Sequence, residues 1–253
     1  MNITGNTILI TGGGTGIGRG LAEALHKLGN QVVIAGRRAA ALKETVDANA
    51  GMKSLLLDIE NPVSIRTLAK EAAAQFPNLN VLVNNAGIMR AEKFAADAVE
   101  TKTSESVIAT NLLGPIRLTA ALLPLLRKQP SATIINVSSG LAFVPLTITP
   151  TYCATKAAIH SYTQSLRYQL QATRVEVLEL IPPYVQTDLM GGAEDPRAMP
   201  LKDYIRETID ILKQQPTPVE ICVERVKPLR FAAEQGHYAA AFQQLNGVLA
   251  DVH

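Results

Sequence analysis

The sequence is poor in cysteine and has no tryptophan. Cys153 and Cys222 are the only thiols in 253 residues, and neither stands in a CxxC or Cys/His spacing. The sequence therefore predicts no metal site and no disulfide framework. A chain of this length buries about three quarters of its unfolded surface and needs no such cross-link to fold. We expect both thiols to be inert packing residues.

An excess of charge of one sign is also absent. The 24 basic and 22 acidic side chains leave a formal net charge of +2, without the basic stripe that binding to a phosphate backbone requires. Residues 1–6 lack the basic region and long apolar stretch of a signal peptide, and the charge-free run 131–155 is interrupted by Ser, Thr, Asn and Pro. We expect a cytoplasmic protein that binds neither nucleic acid nor membrane.

Short aliphatic runs alternate with longer amphipathic segments along the chain. Six runs are mostly unalternating, as strands buried on both faces must be: Thr7–Thr11, Gln31–Ala35, Lys53–Leu57, Val81–Val83, Thr133–Val137 and Val175–Leu180. This alternation predicts an α/β fold with a Rossmann-type, doubly wound parallel sheet of six or seven strands. The chain is too short for a separate substrate domain of similar size, so we expect one domain over 1–253.

Local signals mark several helices and one loop. Asn61-Pro62 and the box Thr217-Pro218-Val219-Glu220 each predict a helix start. Residues 103–126 predict a long helix with proline kinks. Residues 182–216 are rich in Pro, Gly and Met, and they predict a substrate loop that contains one short helix.

The first predicted strand runs into a glycine-rich turn, Thr11-Gly-Gly-Gly-Thr-Gly-Ile-Gly18, followed by a segment of helical periodicity. Glycines let the backbone approach a pyrophosphate, and the free N–H groups of a helix start face its charge. In this strand, turn and helix context the motif predicts a dinucleotide site, with a merely tight turn as the alternative.

The end of the second predicted strand indicates which dinucleotide binds. An NAD site would place Asp or Glu about 20 residues beyond the turn, for the ribose 2′-hydroxyl. This chain has Ala35-Gly36-Arg37-Arg38 there instead. Two guanidiniums and no carboxylate match a 2′-phosphate, so we expect NADPH in preference to NADH, with a solvated basic turn as the alternative.

Tyr152 and Lys156 lie four residues apart, ahead of a helix-like run at 157–170, so one helical face carries both. A free phenol titrates at about pH 10, and a nearby ammonium would lower its pKa toward a range useful for proton transfer. Ser139 ends the fifth strand, at the edge where doubly wound sheets bind ligands. We expect Ser139 and Tyr152 to share a substrate oxygen. For His160, one turn beyond Lys156, we expect a structural or surface place.

Together these motifs resemble the short-chain dehydrogenases/reductases over nearly the whole chain. The resemblance rests on the glycine turn, Asp58 after the third strand, Asn84-Asn85-Ala86-Gly87 after the fourth, Asn111 in the long helix, Ser139, and Tyr152-Cys-Ala-Thr-Lys156. The spacing is similar to that of the smaller, single-domain branch of the family.

The resemblance implies a catalytic tetrad. In it, Tyr152 protonates a carbonyl oxygen, Ser139 orients that oxygen, Lys156 lowers the tyrosine pKa and binds the nicotinamide ribose, and Asn111 holds a relay water. The resemblance also implies a cofactor cleft lined by Gly12, Thr15, Gly16, Ile17, Gly18, Arg37, Arg38, Asp58, Ile59, Asn85, Ala86, Gly87, Tyr152, Lys156, Pro182, Val185 and Thr187.

Three features depart from the family pattern. Pro183 stands where the family often has Gly, and Thr15 replaces the basic residue that many NADPH-dependent relatives carry. The segment 236–246 lacks the usual final strand and glycine pair. This puts a seventh strand in doubt. We expect a homodimer through the long helices around Asn111 and Tyr152, with a tetramer as the alternative.

The predicted substrate pocket is apolar. Its wall is predicted from Leu141, Ala142, Phe143, Leu146, Tyr184, Met190, Met199 and Leu201. These residues include no pair of cations that could bind a phosphate or carboxylate. The pocket therefore favours as substrate an uncharged ketone or aldehyde, which NADPH would reduce. The alternative is that these residues only pack the core, which uses the same residue types. Two alternatives stay open: an NAD(P)-dependent alcohol or polyol dehydrogenase that acts oxidatively, and a non-catalytic NADP(H)-sensing scaffold.

Overall fold

Seven parallel strands form one sheet in the order β3-β2-β1-β4-β5-β6-β7. The strands are β1 Thr7–Thr11, β2 Gln31–Gly36, β3 Lys53–Leu56, β4 Leu79–Asn84, β5 Ala132–Val137, β6 Val175–Ile181 and β7 Glu220–Cys222. The structure is a computed structural model that describes residues 1–96 and 100–250. The strand order reverses between β1 and β4, which creates the switch point where such sheets bind ligands. The predicted Rossmann-type, single-domain α/β fold is confirmed.

Helices connect the strands and cover both faces of the sheet. They are α1 Gly16–Lys27, α2 Ala39–Asp47, α3 Pro62–Gln75, α4 Lys102–Ile108, α5 Gly114–Leu126, α6 Pro150–Leu170, α7 Leu201–Leu212, α8 Lys227–Arg230 and α9 Tyr238–Ala250. Short 3-10 turns occur at Gly140–Ala142, Leu189–Glu194 and Glu224–Val226.

All six predicted strands are present, and two apolar clusters explain why their residues do not alternate in polarity. Ile8 and Ile10 of β1 face one cluster, which is completed by α1, α2 and α7. Leu9 of the same strand faces the other cluster, which is completed by α3, α5 and α6. Each central strand therefore buries both of its faces, as parallel sheets do.

Two of the helix predictions are confirmed. Asn61 caps α3, where its side-chain oxygen accepts a hydrogen bond from the Val63 N–H at 2.8 Å. The long helix predicted over 103–126 is present as α4 and α5, joined by the π-helical turn Ala109–Leu113. The irregularity of this helix lies at the π turn that contains Asn111, which is a geometry often found at functional sites.

The segment Lys102–Leu126 is long and apolar enough to cross a bilayer by length and composition alone. In the fold, Leu118, Leu122 and Leu126 of this segment are buried in the cluster under α3 and α6. Packing within the protein therefore accounts for part of its apolar surface, while Ile108 and Leu113 stay more than a third exposed.

One prediction for the last third of the chain is wrong, and one doubt is resolved. The box Thr217-Pro218-Val219-Glu220 starts no helix, because Glu220–Cys222 pair with β6 as β7. In that pairing, the Glu179 N–H donates to the Val219 carbonyl at 2.9 Å. The sheet also has the seventh strand that the C-terminal departure put in doubt. This strand, β7, precedes residues 236–246 in the sequence, and most of those residues belong to α9.

The loop predicted over 182–216 is irregular only in its first half. Its second half is the twelve-residue helix α7, which buries Tyr204, Ile205, Thr208, Ile209 and Leu212 at helical spacing. A Cβ on Gly20 of α1 would lie 2.8 Å from Ile205 Cγ1, which shows how closely the two helices pack. The amphipathic pattern of α7 therefore outweighs the nearby Pro and Gly signals.

Candidate active site

The glycine turn lies between the end of β1 and the start of α1. Gly12 has a φ of +68°, in the left-handed region that favours glycine. A Cβ on Gly18 would lie 2.2 Å from the Gly12 carbonyl oxygen, so a side chain there would force the turn apart. The Asn85 side chain donates to the Thr11 carbonyl at 2.9 Å and ties the turn to the loop after β4. The first N–H groups of α1 have no partner within the helix, which is the usual setting of an anion site.

The two arginines after β2 take different partners. Arg38 Nη2 donates to Thr15 Oγ1 at 2.9 Å, so this guanidinium reaches the glycine turn. Arg37 Nη1 lies 3.3 Å from Glu60 Oε1, and 51% of the Arg37 side chain is exposed. Position 15 lacks a basic residue, but the charged side chain of Arg38 lies against Thr15 in the structure. Sequence reasoning missed Glu60, because no local pattern pairs it with a residue 23 positions earlier.

The loop after β4 and the loop after β6 meet at the glycine turn. Thr11 Oγ1 accepts from the N–H groups of Asn85 and Ala86, both at 3.0 Å. A Cβ on Gly16 would lie 3.3 Å from Thr187 Cγ2, so Thr187 packs against the turn from the other side. The structure therefore brings together three of the predicted cofactor-binding segments.

The other predicted cofactor residues lie around this cleft with their side chains already engaged. The Asp58 carboxylate accepts from the Glu60 N–H at 3.1 Å. Ile59 is buried, and a Cβ on Gly114 would lie 2.5 Å from its Cγ1, so its side chain packs under α5. Ile17, the second residue of α1, packs against the core. In the loop after β6, the Pro182 carbonyl accepts a hydrogen bond from the Gly140 N–H at 2.9 Å. Val185 is buried and forms an isolated β-bridge with Met199.

Tyr152 and Lys156 both belong to α6, which begins at Pro150, two residues before the tyrosine. Both side chains are buried, and Lys156 Nζ lies 5.5 Å from the centre of the Tyr152 ring. Lys156 Nζ donates to the Val137 carbonyl, at the end of β5, at 2.9 Å. A Cβ on Gly87 would lie 3.8 Å from this nitrogen, so the lysine borders the same cleft as the loop after β4.

Asn111 lies in the π turn and is almost fully buried. Its side chain forms two hydrogen bonds with the backbone of Ile88, one with the N–H and one with the carbonyl, each at 2.9 Å. Its amide also donates to Thr155 Oγ1 at 3.3 Å. The π turn therefore joins the loop after β4 to α6, next to Tyr152 and Lys156.

Ser139 and Ser138 differ in their surroundings. Ser139 caps the 3-10 turn that follows β5, where its hydroxyl accepts from the Leu141 N–H at 3.1 Å. The Ser139 hydroxyl also lies beside the Tyr152 phenol, and hydrogen bonding between them acts to lower the phenol pKa. The Ser138 hydroxyl is buried without a partner among the described residues.

Burial controls the electrostatics of the pair on α6. It raises the pKa of the Tyr152 phenol above its usual range, and Ser139 only partly opposes this. Burial also lowers the pKa of Lys156 to about 8, while the charge of Glu179 acts in the opposite direction. The prediction that the tyrosine pKa is lowered is therefore wrong for the protein alone, because loss of hydration outweighs the nearby cation. At neutral pH the phenol keeps its proton.

Sequence reasoning also missed Glu92, which holds the start of α6. The Glu92 carboxylate accepts from the Thr151 N–H at 3.0 Å and from the Thr151 hydroxyl at 2.9 Å. A carboxylate at a helix N-terminus is favourable because it satisfies a free N–H and opposes the helix dipole. Thr151 precedes Tyr152, so Glu92 helps to fix the entry of the tyrosine into the helix.

The residues predicted to form the pocket wall do not all lie at the same place in the structure. Leu141 and Leu146, together with Ile88 and Met89, pack against the hydrophobic cluster of Val107, Tyr152 and Cys153. Phe143 instead contacts the His160 ring edge-on, with 4.7 Å between the ring centres. Among the later residues, Met199 is buried in the core, Leu201 packs toward α1, and the Tyr184 hydroxyl donates to the Asp195 carboxylate at 3.1 Å.

Comparison with known proteins shows similarity over nearly the full length of the chain. A family model described as short chain dehydrogenase matches residues 6–198. The uncharacterized oxidoreductase DltE of Bacillus subtilis (strain 168) is 41% identical over 251 residues, which cover 97% of this chain and 98% of that protein.

Two solved structures share the fold. A short chain dehydrogenase from Burkholderia cenocepacia J2315 in complex with NADP matches with a TM-score of 0.80 and 25% identity, over 95% of this chain and 98% of that chain. A short chain dehydrogenase/reductase from Burkholderia phymatum in complex with NAD also matches with a TM-score of 0.80, at 22% identity, over 93% and 95% of the two chains.

Proposed function

The chain belongs to the short-chain dehydrogenases/reductases and is an oxidoreductase, and we propose that it reduces apolar ketones or aldehydes with NADPH. The observation that carries this proposal is the convergence of Ser139, Tyr152 and Lys156 at the carboxyl end of β5, beside a glycine turn that excludes side chains. A proton donor, a cation and a cofactor cradle then share one cleft.

Tyr152 is the proposed proton donor. When bound, NADPH supplies a hydride to the carbonyl carbon of the substrate. The Tyr152 O–H bond breaks as its proton moves to the carbonyl oxygen, which leaves a phenolate. The phenol holds the proton at neutral pH, and the positive charge of Lys156 stabilises the phenolate as the proton leaves.

Ser139 and Lys156 support this transfer. The Ser139 hydroxyl lies beside the phenol and donates a hydrogen bond to the same substrate oxygen. The Lys156 ammonium, held at the Val137 carbonyl, places a positive charge beside the phenolate that forms. Asn111 holds the loop after β4 and α6 together, so that these groups keep their relative positions.

The residues present fit a dinucleotide with a 2′-phosphate. The glycine turn and the start of α1 would hold the pyrophosphate, and Arg37 and Arg38 would pair with the 2′-phosphate. The contact between Arg38 and Thr15 supports this, since it keeps at the turn a guanidinium that forms no salt bridge with a carboxylate of residues 1–96 or 100–250. Asn85, Ala86, Gly87 and Thr187 would line the nicotinamide half of the cleft.

The proposed substrate is uncharged near its carbonyl group. Tyr152 forms a hydrophobic cluster with Val107 and Cys153, and Leu141, Leu146, Ile88 and Met89 pack against this cluster. Apolar walls with a few convergent polar groups are typical of sites that bind small apolar molecules.

We further propose a homodimer through the helical layer of α4, α5 and α6. Ile108 and Leu113 are more than a third exposed, and 73% of Tyr168 is exposed. Light scattering after gel filtration tests this proposal, since a monomer mass at micromolar concentration would contradict it.

The experiment that tests the function combines binding with turnover. NADPH and NADH are titrated separately into the purified protein, and absorbance at about 340 nm, where reduced nicotinamides absorb, is then followed with a panel of apolar and charged carbonyls. We expect NADPH to bind more tightly and to be consumed with apolar carbonyls. Oxidation of alcohols or polyols without carbonyl reduction would favour the dehydrogenase alternative. Tight binding without turnover on either panel would favour the sensing scaffold.

A further inference from the structure

A row of four polar side chains, three of them buried, crosses the sheet behind Lys156. In the strand register, Asn84 of β4 pairs with Asn136 of β5, Asn136 with Glu179 of β6, and Glu179 with Glu220 of β7. Residues paired in register share one face of a sheet. The four side chains therefore stand side by side on the face that α5 and α6 cover.

Most of this row is neutral or fully paired. The Asn84 amide donates to Asn136 Oδ1 at 2.8 Å, and the Asn136 amide donates to Thr163 Oγ1 at 3.0 Å. At the other end, the Glu220 carboxylate accepts from Arg230 Nε at 2.7 Å, so a permanent cation balances its charge. Glu179 lies between these two ends.

Glu179 is a fully buried carboxylate whose direct partner is a histidine. His160 Nδ1 lies 2.8 Å from Glu179 Oε2 and 3.0 Å from Oε1. A buried carboxylate requires hydrogen-bond donors and a nearby positive charge. His160 supplies the donor, and it is one turn beyond Lys156 on α6, so the face of the helix that contacts Glu179 also carries the lysine.

We propose that Glu179, oriented by His160, is a positioning residue whose negative charge supports the buried ammonium of Lys156, which is held at the carbonyl of Val137, the residue after the one that pairs with Glu179 in the sheet. This inference rests on the catalytic role proposed above for Lys156. It gives the row a function beyond packing, since burial lowers the pKa of an ammonium and a nearby negative charge opposes that change. It also explains why a carboxylate lies in the middle of β6, where an aliphatic residue would otherwise pack.

The surroundings of Glu179 make Lys156 the group that responds to its charge. The titratable and charged groups near Glu179 are Lys156 and His160 of α6, Glu220 and Cys222 of β7, and Arg230 of α8 beyond Glu220. Arg230 is held by Glu220 and Glu234. The effect of Glu179 on Lys156 has the expected sign, because its charge raises the lysine pKa against the lowering by burial.

The test measures the titration of Lys156 directly, in the protein without cofactor. Lysines are labelled with ¹³C at the ε carbon, and the Lys156 signal is assigned by its loss in Lys156→Met. We expect Glu179→Gln to lower the titration midpoint of Lys156 by about one pH unit, the size of shift that a nearby opposite charge produces. Glu179→Asp should restore part of the shift, because it keeps the charge.

Glu220→Gln is the matched control, since it removes a neighbouring carboxylate of the same row. It should leave the Lys156 midpoint within a few tenths of a pH unit while destabilising the fold. If Glu179→Gln fails to fold, a pair of variants at His160 provides the same test. His160→Asn keeps a donor near the Nδ1 position, whereas His160→Ala leaves Glu179 without a donor and favours its neutral form. We expect a lower midpoint only in His160→Ala.

The inference is overturned if the Lys156 midpoint is the same in the wild type, Glu179→Gln and His160→Ala. Activity reports separately on the proposed function. With carbonyl reduction present, the alkaline limb of the pH profile should move to lower pH in Glu179→Gln. A shifted NMR midpoint without turnover in the wild type would leave this inference standing and contradict the proposed function instead.

Discussion

The guanidinium of Arg38 and the hydroxyl of Thr15 are joined across the cofactor cleft, with Nη2 donating to Oγ1 at 2.9 Å. This contact links the end of β2 to the glycine turn, although the two residues are 23 positions apart. It holds a cation at the site proposed for the 2′-phosphate.

Replacing both arginines, Arg37→Ala with Arg38→Ala, should weaken NADPH binding by about tenfold or more, because each charged hydrogen bond is worth ~1.5–3 kcal/mol. NADH binding should change little, since NADH has no 2′-phosphate. Isothermal titration with both dinucleotides measures the two affinities. Equal losses for the two would show that these arginines do not recognise the phosphate.

Of the single variants, Arg38→Ala should cost more NADPH affinity than Arg37→Ala. Arg37 is half exposed and already faces Glu60, whereas Arg38 reaches the turn itself. The reverse order would indicate that Arg37 leaves Glu60 when the cofactor binds.

Gly18→Ala should abolish dinucleotide binding while the protein stays folded. The added Cβ would lie 2.2 Å from the Gly12 carbonyl oxygen, so the turn would have to move. Gly247→Ala is the matched control, because it adds the same methyl group where no described atom outside its own stretch of helix lies within 4 Å. Circular dichroism checks the fold, and a fluorescence titration checks binding. Normal binding by Gly18→Ala would place the cofactor elsewhere.

Carbonyl reduction should decline as the pH rises through about 8, because Lys156 has a pKa of about 8 and loses its charge above it. The Tyr152 phenol does not limit the rate there, since its own pKa is raised above the usual range. A pH profile of kcat/KM measures this decline. In Lys156→Arg the side chain keeps its charge, so we expect lower activity without that alkaline limb. A limb at the same pH in Lys156→Arg would assign the titration to another group.

Glu92→Ala should destabilise the fold by about 1–2 kcal/mol, because two donors at the start of α6 lose their acceptor. It should also lower kcat more than it raises KM, since Tyr152 follows directly. Urea unfolding and steady-state kinetics measure the two effects. Glu71→Ala removes an exposed glutamate from the interior of α3 and should change stability by less than about 0.5 kcal/mol. Equal effects of the two substitutions would contradict a specific role for Glu92.

Much of the fold could be predicted from the sequence because its signals are local. The aliphatic runs of β1, β2 and β5 and the glycine turn are each complete within a few residues. β7 has only three residues, two of them polar or sulfur-containing, and it forms because β6 offers a free edge. A local capping pattern could not reveal that pairing.

In the site too, neighbours that are local in the sequence could be predicted and distant ones could not. Tyr152 and Lys156 could be predicted as neighbours because helical spacing brings them together. Glu60, Glu92 and Glu179 could not, since their partners lie 19 to 59 residues away in the sequence. A sequence motif also could not predict the direction of the Tyr152 pKa shift, because that direction depends on how completely the phenol is buried.

The most direct test of the account follows hydride and proton transfer in a single turnover. NADPH deuterated at C4 is mixed with excess protein and an apolar ketone, for the wild type and for Tyr152→Phe. We predict that the wild type transfers deuterium to the carbonyl carbon of the product. Tyr152→Phe should bind NADPH with nearly unchanged affinity but react about 10²- to 10⁴-fold more slowly, the usual contribution of a general acid. Undiminished transfer by Tyr152→Phe would contradict the assignment of Tyr152 as the proton donor.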